Sequence, residues 1–151
     1  MHLKNTILKR IQLLFPRTID LLRTGTRSNR WQLLLGGKYK LYVWIAPRYL
    51  TSKLKLTRWK LRPHEQESDG LTLVCMLNDT NEECEWLFLF PALKLENRHY
   101  FFGLDDKLLS LGVRLTKLSE LCEAARQVLI ANALPLPQIL VPELRPRNRR
   151  R

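Results

Sequence analysis

The sequence predicts one α+β or mixed α/β domain: a central mixed β-sheet carrying a basic β-hairpin, flanked by an N-terminal and a C-terminal helix, with an extended arginine-rich tail. Three observations lead to it. Apolar residues recur at helical spacing near both ends, from Ile7 to Phe15 and from Leu118 to Leu129. Between them lie short apolar or alternating runs set off by Gly, Pro, Asn and Asp, as strands are. The length of 151 residues and the 45% apolar content suit a single domain with one core. The domain is expected over residues 1–134 and the Pro/Arg-rich tail over 135–151.

Asn5 or Thr6 is placed to cap a helix reaching about Phe15, with Ile7, Leu8, Ile11, Leu14 and Phe15 on one face. Pro16 ends it. Thr18–Arg23 suits a second short helical turn, and Thr24–Arg30 is a polar, basic loop. Trp31–Leu35 and Lys38–Ala46 are strands joined by Gly36-Gly37, a hairpin signal. In the second strand Leu41, Val43 and Ile45 point one way and Lys40, Tyr42 and Trp44 the other. Pro47 closes it. Lys53–Leu56 alternates, but Trp59 and Leu61 have switched parity, which predicts a break near Thr57. Arg62–Gly70 is a polar loop.

Leu71–Leu77 is almost wholly apolar, as a strand covered on both faces is. Asn78–Glu85 is an acidic turn, and Trp86–Phe90 is a central strand ended by Pro91. His99–Leu104 suits one more strand. Asp105 or Asp106 caps a short helix through Leu111. Thr116 is expected to cap the longest helix, Lys117–Ala133, with Leu118, Leu121, Cys122, Ala125, Val128 and Leu129 as its apolar stripe. Pro135, Pro137, Pro142 and Pro146 make the tail extended.

Charge divides the chain. Residues 1–63 hold 15 Lys/Arg and one acid, Asp20, for +14; residues 64–144 hold 6 Lys/Arg and 13 Asp/Glu, for −7; five arginines in 145–151 bring the total to +12. Such a cluster repels itself unless a polyanion or an acidic partner offsets it. Nucleic acid, DNA or RNA, is the leading candidate. Solubility alone would be served by scattered charge. The acidic stretch would face a basic partner or a second copy.

The three cysteines, Cys75, Cys84 and Cys122, are widely spaced and form no disulfide framework, which points to a reducing, cytoplasmic setting. A mitochondrial destination is the alternative, because residues 1–19 lack acids and are weakly amphipathic. No apolar run approaches the ~20 residues of a membrane helix. Lys9 and Arg10 interrupt the first apolar stretch, against a secretory signal.

The hairpin WQLLLGGKYKLYVWIAPRY, Trp31–Tyr49, resembles the core of the PD-(D/E)xK nucleases, the restriction-endonuclease-like fold. That family places an Asp on one strand and, about ten residues on, an acid and a Lys on its partner. The acids hold Mg²⁺ and the Lys orients the attacking water or stabilises charge. The Asp position falls on Gln32, the acidic position on Tyr42 and the Lys position on Trp44. Leu71–Leu77, the acidic turn and Trp86–Pro91 extend the likeness, which covers roughly Thr6–Leu104. What the resemblance implies is a nuclease-like fold that keeps a nucleic-acid groove but lacks the catalytic carboxylates and lysine.

Tyr39, Tyr42, Trp44, Tyr49 and Trp59 are interleaved with Lys38, Lys40, Arg48, Lys53, Lys55, Arg58, Lys60 and Arg62. The cations would neutralise phosphates and the rings would stack on unpaired bases. Tyr42 and Trp44, which share parity with Lys40, are the candidate stackers, whereas Tyr39 shares parity with Leu41 and Val43 and is expected in the core. Arg27, Arg30 and the tail's Arg145, Arg147, Arg149, Arg150 and Arg151 complete the candidate interface. The Glu65, Glu67 and Asp69 loop beside His64 reads as solvated. Cys75 and Cys122 read as core, His99 as structural. Cys84, in an acidic turn, is expected to have a raised thiol pKa and to be a poor nucleophile.

Three functions follow. The first is a nucleic-acid binder without an active site, serving as an accessory or scaffold subunit of a nucleoprotein complex. The second is a Mg²⁺-dependent endonuclease whose carboxylates lie elsewhere, at Asp20, Glu65, Glu67 or Asp69. The third is a structural ribonucleoprotein or protein-interaction subunit. No cofactor is expected except Mg²⁺ under the second.

Overall fold

The computed structural model describes residues 2–21, 30–50, 56–61, 70–92 and 100–141. It is an α+β fold, as predicted, and is built in three layers with a second sheet that the sequence did not announce. The middle layer is a six-stranded mixed sheet. Its strands are β1 (Ile19–Asp20), β2 (Arg30–Leu35), β3 (Tyr39–Ala46), β6 (Leu71–Leu77), β7 (Cys84–Pro91) and β9 (Val113–Leu115), in the order β1-β2-β3-β6-β7-β9. Neighbours are antiparallel except β3 and β6, which run parallel. A parallel pair needs a crossover. Here the chain between β3 and β6 carries β4 (Arg48–Leu50) and β5 (Thr57–Leu61), which join β8 (Tyr100–Phe102) in a second, three-stranded sheet ordered β4-β5-β8.

Helices α1 (His2–Leu14) and α2 (Leu121–Ala131) cover one face of the main sheet. Ile7, Ile11 and Phe15 from the N-terminal segment and Leu121, Ala125 and Val128 of α2 pack there against Trp31, Leu33, Leu41, Val43, Leu73 and Cys75. The small sheet covers the other face: Trp59, Leu61 and Phe102 pack on Ala46, Val74, Met76, Phe88 and Phe90. The Trp59 indole N–H donates to the Leu77 carbonyl at 2.8 Å, tying the two sheets together. Lying between both layers, every residue of β6 is buried, which is why its sequence does not alternate. The sheet ends in strands of two and three residues, β1 and β9, too short to recruit another strand readily.

The hairpin forms where expected. Gly36 and Gly37 take φ of +57° and +74°, a backbone that residues with a Cβ adopt only at a cost. A Cβ on Gly36 would also collide with the Ile139 side chain. Buried Thr18 locks the same corner, its hydroxyl donating to the Phe15 carbonyl at 2.7 Å and accepting from the Gly36 N–H at 3.2 Å.

Several boundaries move. α1 includes His2, not starting at Asn5 or Thr6, and Leu3 already packs on the core. Ile19 and Asp20 pair with Leu34 and Leu33 as β1 in place of a helical turn. Among the described residues the longest helix is α1, at 13 residues, against 11 for α2. Thr116 does not cap α2 directly. Its N–H and hydroxyl donate to the Glu120 carboxylate at 2.7 and 2.9 Å, and a 3₁₀ turn at Leu118–Glu120 precedes the helix. Asp106 caps the Lys107–Leu111 3₁₀ turn, accepting from the Leu108 N–H at 2.9 Å. The start of the tail is not simply extended: Gln138–Leu140 is a 3₁₀ turn, Leu140 is fully buried, and Leu136 and Ile139 pack on the core. The fold therefore reaches past residue 134. The alternating segment Lys53–Lys55 and the loop of residues 62–69 lie outside the described residues. Among the described residues no helix is long and apolar enough to cross a membrane.

Candidate nucleic-acid interface

The small sheet has a buried face and an open one. Alternation along β5 turns Trp59 and Leu61 inward and Arg58 and Lys60 outward. The register sets Tyr49 opposite Arg58 and Phe101 opposite Lys60. Tyr49 and Phe101 are 44% and 51% exposed. Their rings meet edge to face, centroids 6.1 Å apart. Lys60 Nζ lies 5.7 Å from each ring centroid, so the cation sits between two exposed aromatic rings. Arg58 borders this row: its guanidinium donates to the Thr57 carbonyl at 3.1 Å and reaches Asp105 at 3.8 Å. The guanidinium crosses Gly103, where a Cβ would collide with it. Leu50 and Leu104 add exposed apolar surface.

Rings open to solvent can stack on bases, and a cation held between them can meet the phosphate linking those bases. No metal chemistry is needed for this, and among the described residues the two outward rings of the row are open to solvent.

The residues singled out from the sequence divide. Arg58 and Lys60 lie on this face, with Tyr49 from the same interleaved set. Arg48 does not serve it: its backbone N–H donates to Asn81 Oδ1 at 2.6 Å, its guanidinium pairs with Glu85 at 3.3 Å, and it lies 5.9 Å from the Trp59 ring. It fastens β4 to the acidic turn. Lys38 is exposed at the hairpin tip and Lys40 is half-buried on β3. Tyr42 is 6% exposed, so its ring is core and not a stacking platform. Its hydroxyl accepts from Gln32 Nε2 at 3.3 Å. Trp44 is half-buried and packs against the cluster beneath the small sheet. Tyr39 packs against the helix-side core, as its parity predicted. Arg30 opens β2 opposite Trp44. Arg27, Lys53, Lys55, Arg62, Arg145, Arg147, Arg149, Arg150 and Arg151 lie outside the described residues.

The three positions aligned with the nuclease residues do lie near one another. Gln32 is directly opposite Tyr42 in the β2–β3 ladder, and Trp44 follows on the same face of β3. Asp20 is elsewhere: it pairs with Leu33, on the helix side of the sheet, and its carboxylate binds Lys4 Nζ at 2.7 Å. Glu65, Glu67 and Asp69 lie outside the described residues.

Phe101 was missed in the sequence. Tyr100, Phe101 and Phe102 are consecutive aromatics, and a run of three does not reveal which one faces out. Pairing of β8 with β5 decides it, because Phe102 lies opposite inward Trp59 and Phe101 opposite outward Lys60. Compared with protein-family models, curated proteins and solved structures, the chain matches none.

Proposed function

We propose that this protein binds single-stranded nucleic acid on the outer face of its small sheet, without cleaving it. The observation that carries the proposal is the exposed row Tyr49–Lys60–Phe101, set in a stretch of the chain that carries +14 over residues 1–63. Bases would stack on the two rings while Lys60 and Arg58 meet phosphates. The tail arginines would add charge that is read without sequence preference. A nuclease-like ancestry remains part of the proposal: Gln32, Tyr42 and Trp44 supply no carboxylate where that fold would hold Mg²⁺. In this role the protein acts as an accessory or scaffold subunit of a nucleoprotein complex.

The test is fluorescence anisotropy with labelled single- and double-stranded DNA and RNA across a salt series with Mg²⁺, the oligonucleotides then run on a denaturing gel. Salt-steep binding that prefers single strands, with the strand intact, supports the proposal. Cleavage overturns it in favour of a Mg²⁺-dependent endonuclease. Equal competition by heparin reduces it to bulk charge, as a structural or protein-interaction subunit would show.

A further inference from the structure

On the opposite side of the molecule, β6 and β7 bring two cysteines together. The ladder runs Cys75 opposite Leu87 and Met76 opposite Trp86, then skips a residue so that Leu77 faces Cys84. Glu85 is the extra residue of this β-bulge. Without it, strict alternation would put Glu85 on the helix side beside Leu77. The bulge instead brings Cys84 there, packed against the same core as Cys75. Bulges re-aim side chains in this way, often beside active sites.

The Cys75 and Cys84 thiols act on each other's ionisation, and that mutual effect is the largest influence on both. It pushes the Cys75 thiol well up, with burial and the Cys84 charge adding to it. It draws the Cys84 thiol down, helped by backbone hydrogen bonds at Met76 and Trp86 and opposed by burial and Glu85. The expected raised Cys84 thiol is overturned: of the acidic turn only Glu85 pushes it up, and that push is outweighed. The Cys84 thiol itself donates to the Trp86 carbonyl at 3.3 Å. Cys75 and Cys84 both line a cavity of about 550 Å³ beneath α1 and the Leu118–Glu120 turn, whose wall also carries Arg10, Lys117, Glu82 and Glu83. That volume suits a small ligand, and its paired charges suit a zwitterionic one. All three cysteines are free thiols.

We propose that Cys84 and Cys75 form a thiol–disulfide exchange site that takes a low-molecular-weight disulfide of the glutathione type from this cavity. The Cys84 thiolate attacks one sulfur of the small disulfide. A protein–small-thiol disulfide forms, the original S–S bond breaks, and the first small thiolate leaves and takes up a proton from water. Cys75 then attacks Cys84 Sγ, its proton passing to the second small thiolate as that departs. Two protein thiols are oxidised to one Cys75–Cys84 disulfide and one small disulfide is reduced to two thiols. Cys75 is placed for the second step because it lies on the same face of the β6–β7 pair as Cys84 and lines the same cavity. The site is independent of the nucleic-acid face.

The experiment treats the reduced full-length protein with glutathione disulfide at neutral pH and follows each thiol by quenched mass mapping. Cys84 is expected to react at least about tenfold faster than Cys122, and a Cys75–Cys84 crosslink replaces a transient adduct. Cys84→Ser removes both products, and Cys75→Ala leaves a stable glutathione adduct on Cys84. Cys122→Ser changes neither. The first comparison uses the unaltered protein, so it stands even where a variant fails to fold. Equal rates at Cys84 and Cys122, or an adduct on Cys84 that persists in the unaltered protein, overturns the proposal.

Discussion

Phe101→Ala separates a binding surface from a structural one. Phe101 is half exposed, so its burial contributes about half of the ~1.5–3 kcal/mol of a fully buried side chain. The edge contact with Tyr49 adds something near the low end of ~0.5–1.5 kcal/mol, since both rings face water. A loss of about 1–2 kcal/mol follows, against the ~5–15 kcal/mol that holds a typical domain folded. For a chain of this size that is roughly 2–8 °C in melting temperature. Binding should suffer more. One lost base stack costs about 1–3 kcal/mol, or roughly 5- to 150-fold in Kd. The assay is anisotropy with a labelled single strand at fixed salt, beside thermal melting by circular dichroism. Trp59→Ala is the contrast: at 2% exposed it should cost about 3–5 kcal/mol of stability while removing no surface ring. A Phe101→Ala protein that melts lower but keeps its affinity within twofold refutes the stacking role.

Lys60→Gln should weaken binding and reduce the salt slope for a single strand by about 0.7, one phosphate contact; an unchanged slope removes Lys60 from the interface. Trp44→Ala should lower the melting temperature and leave affinity unaltered in the fraction that remains folded, because Trp44 packs beneath the small sheet; a selective loss of affinity would return the site to the hairpin. The Glu120 carboxylate is held below its ordinary range, first by the Thr116 N–H, then by the Thr116 hydroxyl and the Lys117 N–H. A depressed carboxylate stabilises the fold above its unfolded pKa, and that contribution is lost as pH falls through the folded value. Glu120→Gln should therefore lower stability near neutral pH and flatten the decline on acidification, as read by thermal melts across the carboxylate range.

Local signals were legible and long-range ones were not. Gly36-Gly37 announced the hairpin because only positive φ closes that turn. The unbroken apolar run of β6 announced a strand covered on both faces. Trp59 and Leu61 share the inward face of β5, as their common parity requires, while the alternating segment before the break or bulge expected near Thr57 lies largely outside the described residues. Parity also placed Tyr42 and Trp44 with Lys40, but parity names a face and not what covers it. Here the small sheet's cluster packs on Trp44 and Tyr42 is buried, and β4, only three residues long, left no signal after Pro47. The bulge at Glu85 was invisible for the same reason, since it exists only in the pairing of β7 with β6. Asn5 and Thr6 carry capping side chains, yet the apolar stripe continues back to Leu3, and packing overrode the local signal.

The assembly of the small sheet has a consequence for synthesis. Tyr49, Arg58 and Lys60 lie in the basic part of the chain, which leaves the ribosome first, whereas Phe101 and the strand that holds it come from the acidic part. A nascent chain that has reached residue 63 is a polycation without a completed aromatic row. Only once β8 has emerged and paired with β5 can charge and stacking act together. On the proposed function, selective recognition would thus require the assembled small sheet, and a fragment ending at residue 63 would keep the attraction to polyanions while losing the discrimination among them.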